Sequence, residues 1–287
     1  MSRRQPAFRL MMPNEPTAPE TPETRHVRVR CHELAPQLGQ LSANLTMIED
    51  AIRAAVIDEV DLLVLPELST SGYYLRSKDE ATSCAIPIAH PILERWAGLL
   101  SPTMTVVVGI CESRNEALFN TAVTLGSGGV LGVYRKTHLW DGELTIFTAG
   151  RDRPAVTETP VGRLGVLICY DLEFPEMPRS LAVGGAEMIA VPTNWPLVPK
   201  PSGEHAPEVI QAMAAARSSR VAIACCDRRG AELHNEWTQG TSIIGSDGWP
   251  TGTLDGDRVD ALLAIDPHRT TISPRNNVIQ DRRPALY

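Results

Sequence analysis

Short, nearly continuous apolar runs alternate along this sequence with longer segments of helical periodicity, and this alternation restricts the possible folds more than any other feature. Runs at 61–66, 104–111 and 164–170 have the length of single strands, and their apolar character fits strands that are buried on both faces. Between such runs, apolar residues recur at spacings of three and four, as they do through 44–58. The alternation predicts a layered α/β domain with mixed β-sheets.

The same patterns locate each predicted element. The predicted strands are 26–32, 61–66, 104–111, 121–125, 130–135, 164–170, 187–192, 221–226, 237–244 and 259–265, and the predicted helices are 44–58, 91–100, 175–183 and 207–219. The glycines at 126, 128 and 129 mark a hairpin turn, because no Lys-Ser/Thr follows them as a phosphate loop requires. The proline-rich residues 1–24 predict a flexible N-terminal extension, with a contact to a partner subunit as the alternative.

The composition argues against several classes of partner. A net charge of -7 does not suit a broad surface for nucleic acid or anionic membrane, which needs clustered Lys and Arg. No run approaches the roughly 18 apolar residues of a membrane span, and residues 1–24 lack the apolar core of a secretory signal. The six cysteines form no CxxC pair and no metal-finger spacing, which favours a reducing, cytoplasmic location. Four of them are predicted to be small buried side chains, namely Cys31, Cys111, Cys225 and Cys226.

Three polar residues lie at or just beyond the ends of predicted strands, where α/β sheets usually place their functional sites. Glu67 follows a buried run, so it is either a solvated rim residue or a pocket carboxylate whose raised pKa suits a general base. Lys136 alone is most simply a solvated strand-end lysine. Cys169 lies where a strand turns toward a helix, a geometry that exposes a nucleophile, although an isolated cysteine is more often part of the core.

Together, the segments around these residues resemble the nitrilase superfamily of carbon–nitrogen hydrolases. The first motif is Leu63-Val-Leu-Pro-Glu67-Leu-Ser-Thr-Ser-Gly72-Tyr73, and the second is Tyr134-Arg-Lys136-Thr-His-Leu139, continued by Glu143, Phe147 and Gly150. The third is Gly165-Val-Leu-Ile-Cys169-Tyr-Asp171-Leu-Glu-Phe-Pro175-Glu, followed by Asn194-Trp195. All three occur in the order of the family, across residues 26–267. Each motif is weak alone, and their combination is specific.

The resemblance implies an α-β-β-α sandwich with two mixed sheets. It implies that residues 25–287 are a carbon–nitrogen hydrolase domain with a C-terminal tail, that no metal or organic cofactor is needed, and that the chain forms a homodimer or a larger homo-oligomer. The sequence departs from the family at 215–219, where many members have Arg-Ala-x-Glu-Asn. The missing Glu-Asn pair puts the local helix anchoring and subunit contacts in doubt.

The resemblance also implies roles for individual residues. Glu67 would be the general base, Lys136 the cation that stabilises the tetrahedral intermediate, and Cys169 the nucleophile. Glu143 matches a family glutamate that positions the substrate or Lys136. The backbone N–H of Tyr170 would complete the oxyanion hole.

The residues after Cys169 indicate the substrate class. Nitrile hydrolysers of the family usually have Trp-Glu at this point, whereas Cys169-Tyr170-Asp171 looks like the amidase and carbamoylase branches. We therefore expect a small amide to be cleaved to a carboxylic acid and ammonia or an amine through a cysteine thioester. An N-carbamoyl amidohydrolase is the first alternative, a nitrilase the next, and a non-catalytic interaction protein the least favoured.

Several residues near the motifs are candidates for contact with the substrate, because aromatic side chains commonly line small-ligand sites. The predicted substrate-contacting residues are Tyr73, Tyr170, Asn194 and Trp195. Further candidates, for each of which core packing, a subunit contact or simple solvation is the alternative, are Trp140, Trp237, His205 and Arg179.

Overall fold

A computed structural model describes residues 23–286, so almost all of the predicted extension at 1–24 lies outside the described residues. The strands, numbered along the chain, are β1 Arg25–His32, β2 Leu62–Val64, β3 Thr105–Arg114, β4 Ala117–Gly126, β5 Gly129–Arg135, β6 Val156–Thr159, β7 Gly162–Val166, β8 Met188–Pro192, β9 Ala222–Cys226, β10 Ala231–Glu232, β11 Asn235–Glu236, β12 Ser242–Ile244, β13 Pro250–Thr251, β14 Thr253–Asp255, β15 Arg258–Ile265, β16 Thr271–Ser273 and β17 Asn276–Asn277. The α-helices are α1 Leu41–Ile57, α2 Lys78–Cys84, α3 Pro91–Ala97, α4 Glu143–Ile146, α5 Glu176–Val183 and α6 Pro207–Ser219, and two 3-10 helices cover Cys169–Glu173 and Pro284–Leu286. None of these helices combines the length and the hydrophobicity that crossing a bilayer requires.

Two mixed sheets form from these strands, as predicted. The seven-stranded sheet has the order β14-β15-β1-β2-β3-β4-β5, in which β1, β2 and β3 are parallel and the other neighbours are antiparallel. The six-stranded sheet has the order β13-β12-β9-β8-β7-β6, with β7, β8 and β9 parallel. Parallel strands end at one edge of their sheet, so the segments that follow them can meet there.

Successive side chains of the central strand β2 face different layers. Leu62 and Val64 belong to the core that also contains β7, β8 and β9 of the second sheet. Leu63 and Leu65 belong to a separate core with Trp96 of α3 and apolar residues of α1. Both faces of β2 are therefore buried, in agreement with its continuous apolar run.

Helices α5 and α6 cover the outer face of the six-stranded sheet. Gly165 of β7 lies beneath α5, and a Cβ atom at this position would be 2.8 Å from Leu181. Ala212 and Ala216 of α6 share a core with β9. The layers therefore run helix, sheet, sheet, helix, and the predicted α-β-β-α sandwich is confirmed.

Three predicted strands are too long. Of the strand predicted at 61–66, only Leu62–Val64 forms. The strand predicted at 164–170 ends at Val166, because the chain turns there into the 3-10 helix that begins with Cys169. Of the strand predicted at 237–244, only Ser242–Ile244 forms.

The missing half of that strand is held in an irregular conformation by contacts outside the sheet. The backbone N–H of Gly240 donates to the buried Asp227 carboxylate at 3.0 Å. The Trp237 ring stacks on Tyr74, with ring centroids 5.4 Å apart. The Gly240 N–H is therefore not available to pair with a neighbouring strand, and the stacked Trp237 side chain holds the start of the segment away from the sheet.

Helix α6 forms at 207–219 as predicted, although its last turn lacks the family's Glu-Asn pair. Arg220 ends the helix in a left-handed conformation with φ 54°. Its guanidinium donates to the Arg269 carbonyl oxygen at 2.7 Å, which anchors this helix end to the C-terminal segment. The predicted helix at 91–100 ends earlier, at Ala97.

Gly109 of β3 lies against the segment that carries Glu67, and a substitution there tests this packing. A Cβ at position 109 would be 2.5 Å from the Pro66 carbonyl oxygen and 2.6 Å from Glu67 Cα. We expect Gly109→Ala to displace this segment and to lower the free energy of unfolding by about 1–3 kcal/mol, as overpacking does. Urea unfolding measures the change, and Gly128→Ala is the control, because nothing lies within 4 Å of that position. Equal stabilities for the two variants would contradict the predicted overpacking.

Candidate active site

The three residues predicted to be catalytic follow strands of both sheets. Glu67 lies just beyond β2 and Lys136 directly follows β5, both in the seven-stranded sheet, whereas Cys169 lies just beyond β7 of the six-stranded sheet. The segment after β2 continues along β3, because the Leu65 N–H donates to the Val107 carbonyl oxygen at 2.9 Å. The site is therefore assembled from the facing ends of two packed sheets.

The Lys136 ammonium lies between two carboxylates. Its Nζ donates to Oε1 of Glu67 and to Oε1 of Glu143, each at 2.8 Å, and all three side chains are buried. Oε2 of Glu143 accepts the Trp140 backbone N–H at 2.9 Å. Charges interact more strongly in such surroundings, because little water is present to screen them. The structure thus brings Glu67, Lys136 and Glu143 into one cluster.

Two buried asparagines complete the hydrogen bonding of Glu67. Asn120 Nδ2 donates to Oε1 of Glu67 at 2.7 Å and to Oε1 of Glu143 at 3.2 Å. Asn194 Nδ2 donates to the Glu67 carbonyl oxygen at 2.9 Å and to its Oε2 at 3.2 Å. Asn194 is one of the predicted site residues, whereas Asn120 is not. The signal for Asn120 is a single amide directly before the apolar strand run at 121–125.

Burial and charge shift the pKa values of the cluster. Burial raises the pKa of Glu67 to about 7, opposed by Lys136 and supported by Glu143. Burial disfavours the Lys136 ammonium, but the charges of Glu67, Cys169 and Glu143 outweigh it and raise the pKa of Lys136. Burial and the Glu67 charge raise the pKa of the Cys169 thiol well above its usual range, although Lys136 opposes them. The resting site therefore contains a protonated thiol and a carboxylate able to accept a proton near neutral pH.

Cys169 opens its 3-10 helix in a left-handed backbone conformation, with φ 46°. For a residue other than glycine, this conformation costs on the order of 1–3 kcal/mol and is typical of functional sites. The side chain is 5% exposed, and Sγ lies 3.9 Å from the Asn194 carbonyl oxygen. Glu67 is also next to a left-handed residue, Leu68, with φ 50°. A sharp turn of the backbone accompanies each of these two side chains.

Asp171 joins the turn at Cys169 to the strand end at Lys136. Its fully buried carboxylate accepts hydrogen bonds from the Tyr134 hydroxyl at 2.8 Å and from the His138 backbone N–H at 3.0 Å. Tyr134 and His138 flank Lys136, and Asp171 lies in the same 3-10 helix as Cys169. One side chain therefore fixes the spacing between the segments that carry the thiol and the ammonium.

Two of the predicted substrate-contacting residues, Tyr73 and Tyr170, have different surroundings. Tyr73 packs against an apolar cluster that includes Leu68, Ile146 and Phe147. Burial and the charges of Glu143, Glu67 and Cys169 raise the pKa of Tyr73. The Tyr170 ring meets the half-exposed Trp140 ring edge-on, with centroids 4.9 Å apart. The backbone N–H of Tyr170 lies in the first turn of the 3-10 helix, where N–H groups have no partner within the helix itself.

The remaining candidates for contact with the substrate differ in burial and in their hydrogen-bond partners. Trp195 is buried, and its backbone N–H donates to Asp227 Oδ1 at 3.1 Å. Trp237 is packed against tyrosine rings in the interior, as its core alternative describes. His205 is exposed, and the Arg179 guanidinium donates to the carbonyl oxygens at 218 and 278.

Within residues 23–286, no group of three or more His, Cys, Asp or Glu side chains is arranged to hold a metal ion. The expected independence from metals and cofactors stays a prediction. All six cysteines are free and buried, including the four predicted to be buried strand residues.

A family model described as Carbon-nitrogen hydrolase matches residues 28–263, which is most of the chain. This chain belongs to the carbon–nitrogen hydrolase family. The predicted membership of the nitrilase superfamily is confirmed, and the protein is an enzyme that hydrolyses carbon–nitrogen bonds.

The hydrolase is similar to relatives with several activities. It is 31% identical to an N-carbamoylputrescine amidase of Solanum tuberosum, over 86% of this chain and 89% of the relative. It is 29% identical to a nitrilase of Pyrococcus abyssi, over 91% of this chain and 99% of the relative. A solved amidase from Nesterenkonia sp. has a TM-score of 0.73 and 25% identity, over 91% of this chain and 94% of that chain. A mutant of the Nesterenkonia amidase, with a TM-score of 0.72, 26% identity and coverages of 91% and 98%, shows Michael addition of acrylamide at its active site cysteine.

Asp171→Asn tests the link between the two segments. The amide keeps the side-chain shape but replaces an acceptor oxygen by a group that cannot accept, which leaves a buried donor unpaired. We expect a loss of about 1–3 kcal/mol in the free energy of unfolding, and reduced turnover under conditions where the variant is fully folded. Urea unfolding and ammonia release measure both effects, with Asp247→Asn in an exposed turn as the control. Full activity of a folded Asp171→Asn protein would contradict the link.

Proposed function

We propose that this hydrolase cleaves the carbon–nitrogen bond of a small amide, giving a carboxylic acid and ammonia or an amine through a thioester on Cys169. Glu67 acts as the general base, Lys136 stabilises the oxyanion, and Glu143 positions Lys136. One observation carries the proposal: the buried Lys136 ammonium donates to the carboxylates of both Glu67 and Glu143 at 2.8 Å, and the charges of Glu67 and Lys136 act on the buried Cys169 thiol.

The hydrogen bonds of Glu67 suggest which of its oxygens accepts the proton. Oε1 accepts from Lys136 at 2.8 Å and from Asn120 at 2.7 Å, whereas Oε2 accepts one longer bond, from Asn194 at 3.2 Å. The carbonyl oxygen of that same Asn194 lies 3.9 Å from Cys169 Sγ. We therefore assign Oε2 as the oxygen that takes the proton of the thiol.

The proposed reaction has two halves. Cys169 Sγ attacks the carbonyl carbon while its proton passes to Glu67, and the carbonyl oxygen becomes an oxyanion. Glu67 then gives this proton to the leaving nitrogen as the carbon–nitrogen bond breaks, which leaves the thioester. Water attacks the thioester, and Glu67 takes the proton of the water and returns it to the departing sulfur.

Lys136 is arranged to stabilise the oxyanion. An ammonium has three N–H donors, and among the described residues two of those of Lys136 bind Glu67 and Glu143. The third remains for the substrate oxygen, and the backbone N–H of Tyr170 supplies the second donor. Removing one such donor typically costs about 10²–10³ in turnover, because a fixed donor needs no reorganisation as charge develops.

An amide is the substrate that the combined observations favour. The sequence Cys169-Tyr170-Asp171 resembles amidases and carbamoylases rather than nitrile hydrolysers, and the similar solved protein from Nesterenkonia sp. is an amidase. The low exposure of Cys169 favours a small molecule, which Tyr73, Asn194 and Trp195 would contact. An N-carbamoyl compound is the second candidate, because N-carbamoylputrescine amidases of two Solanum species are 31% identical to this chain. The same residues would then act on a ureido carbon.

Other parts of the proposal rest on the family resemblance, on the acidic charge and on the pattern of cysteines. We propose a homodimer or larger homo-oligomer, located in the cytoplasm, without a nucleic-acid or membrane partner. The division into an extension at 1–24 and a hydrolase domain at 25–287 likewise stays a prediction.

A substrate panel assayed with the wild type and with Cys169→Ala tests the proposal. Among small amides, N-carbamoyl compounds and nitriles, we expect an amide to give the highest kcat/KM for ammonia release. Cys169→Ala should abolish this release and remain folded, because no other group can form the thioester, whereas Cys84→Ala should remain active. Carbon dioxide released together with ammonia would identify a ureido substrate instead. Turnover by Cys169→Ala, or a Cys169 inert to iodoacetamide in the folded wild type, would contradict the mechanism.

The pH dependence of kcat/KM tests the role of Glu67. The base must be deprotonated, so kcat/KM should rise with pH through about 7, where burial places the pKa of Glu67. The Asn120 hydrogen bond stabilises the charged carboxylate and lowers this pKa. Asn120→Ala should therefore move the acid limb to higher pH. An acid limb near the ordinary glutamate pKa, or a shift to lower pH in Asn120→Ala, would exclude Glu67 as the titrating base.

A further inference from the structure

A buried ion pair beside the site has no role in the proposed mechanism. Arg228 and Glu232 are 1% and 5% exposed, and Arg228 Nη1 donates to Glu232 Oε2. Arg228 Nη2 donates to the Pro36 carbonyl oxygen at 3.0 Å. Removing two charges from water is costly, and such pairs can often be replaced by apolar residues without loss of stability. Stability alone is thus a weak reason for this pair, and its other contacts indicate what it holds in place.

The Glu232 carboxylate binds the backbone of the segment that follows Glu67. It accepts the Tyr73 N–H at 2.9 Å and the Tyr74 N–H at 2.5 Å. Hydrogen bonds from N–H groups to a carboxylate are stronger than those between neutral groups. Gly72 permits this approach, because a Cβ there would lie 2.8 Å from Glu232 Oε2, and its φ of 78° suits glycine. Glu232 therefore fixes the backbone position of Tyr73.

Trp237 holds the same segment through ring contacts. The Arg228 guanidinium lies over the Trp237 ring, 4.8 Å from its centroid. The Trp237 ring stacks on Tyr74 and meets Tyr73 edge-on, with centroid distances of 5.4 Å and 5.6 Å. Arg228 thus supports Tyr73 by two routes, one through the Glu232 carboxylate and one through the indole.

The side chain of Tyr73 extends from this support to the reaction centre. It packs against an apolar cluster that includes Leu68, next to Glu67, and Ile146 and Phe147 of the segment that begins with Glu143. The Glu143 carboxylate accepts from Lys136 Nζ at 2.8 Å. Burial and the charges of Glu143, Glu67 and Cys169 raise the pKa of Tyr73, so the hydroxyl keeps its proton and remains a donor. The support that Glu232 gives to Tyr73 therefore extends to the surroundings of Glu143 and Lys136.

We propose that Glu232, held by Arg228, is a positioning residue that fixes Tyr73 beside Glu143 and thereby keeps the Lys136 ammonium directed toward the substrate oxygen. This inference rests on the proposed role of Lys136. A shift of Glu232 would release the Tyr73 backbone and displace the Tyr73 side chain that packs beside Glu143. Misplacement by about 1 Å at a reaction centre can lower turnover about 10²-fold. Glu232 would therefore affect catalysis without touching the substrate.

A double-mutant cycle with Tyr73→Ala and Glu232→Gln tests the inference. If Glu232 acts through the Tyr73 side chain, each single variant should lower kcat/KM about tenfold or more, within the range that misplacement produces. The double variant should then lose no more than the more impaired single variant. If the two losses multiply, Glu232 does not act through that side chain and the inference is wrong. An unchanged kcat/KM in Glu232→Gln would also overturn it.

A second variant guards against loss of the fold, because Glu232→Gln leaves Arg228 with a neutral partner. Glu232→Asp keeps the charge on a side chain one methylene shorter, and its effect should likewise disappear in the Tyr73→Ala background. Glu187→Gln is the matched control. Glu187 lies just before β8, and its carboxylate likewise accepts hydrogen bonds from an arginine, Arg25, at 3.1 Å and from a backbone N–H, that of Arg163, at 2.9 Å. We expect Glu187→Gln to keep the wild-type kcat/KM. A loss in this control as large as in Glu232→Gln would make the effect a general one and overturn the inference.

The cycle also separates this inference from the proposed function. A wild type that turns over no amide refutes the proposed substrate class, and the cycle is then measured on the ureido compound or nitrile that the enzyme does hydrolyse. An active wild type with multiplying losses leaves the proposed function intact and removes the role of Glu232. Unfolding midpoints establish that each variant is folded at the assay temperature.

Discussion

The buried cluster in which the Lys136 ammonium binds both Glu67 and Glu143 is the interaction on which the rest of the site depends. Attraction between buried charges offsets their loss of hydration only when the remaining donors and acceptors are satisfied. The amides of Asn120 and Asn194 supply part of this satisfaction. One cation between two carboxylates leaves an excess of acceptors. Burial, together with the negative charge of Glu143, therefore places the pKa of Glu67 near neutrality, where a general base is useful.

The fold supplies this cluster by placing strand ends of two packed sheets opposite each other. Two of the charged residues follow strands of the seven-stranded sheet, and the thiol follows a strand of the six-stranded sheet. Left-handed residues at Leu68 and Cys169 turn the backbone sharply at these ends. Their conformational cost is acceptable because the surrounding hydrogen bonds and packing hold the backbone in place. The reactive groups thus lie at fixed positions on a rigid scaffold.

The strands and site residues that follow from the local pattern of apolar and polar residues could be predicted from the sequence. Burial on both faces leaves few polar positions, so the central strands were recognisable, and polar residues just beyond them pointed to the site. Contacts between distant segments have no local pattern. Glu232 binds a backbone N–H 159 residues away, and Asn120 is a lone amide within a strand. The strand predicted at 237–244 forms only at Ser242–Ile244, because Asp227 binds the Gly240 N–H. This tertiary contact overrides the local strand propensity.

Asp171 has a consequence that reaches beyond the reaction centre. It belongs to a segment that follows the six-stranded sheet, yet it accepts hydrogen bonds from Tyr134 and His138 at the end of β5 in the other sheet. Sliding of one sheet past the other would break these bonds and separate sulfur from ammonium in the same movement. Correct alignment of the two halves of the sandwich and chemical competence are therefore one property. A molecule with misaligned sheets would be inactive. Under denaturing conditions, the number of active molecules would fall, whereas each molecule that stays aligned would keep its full turnover.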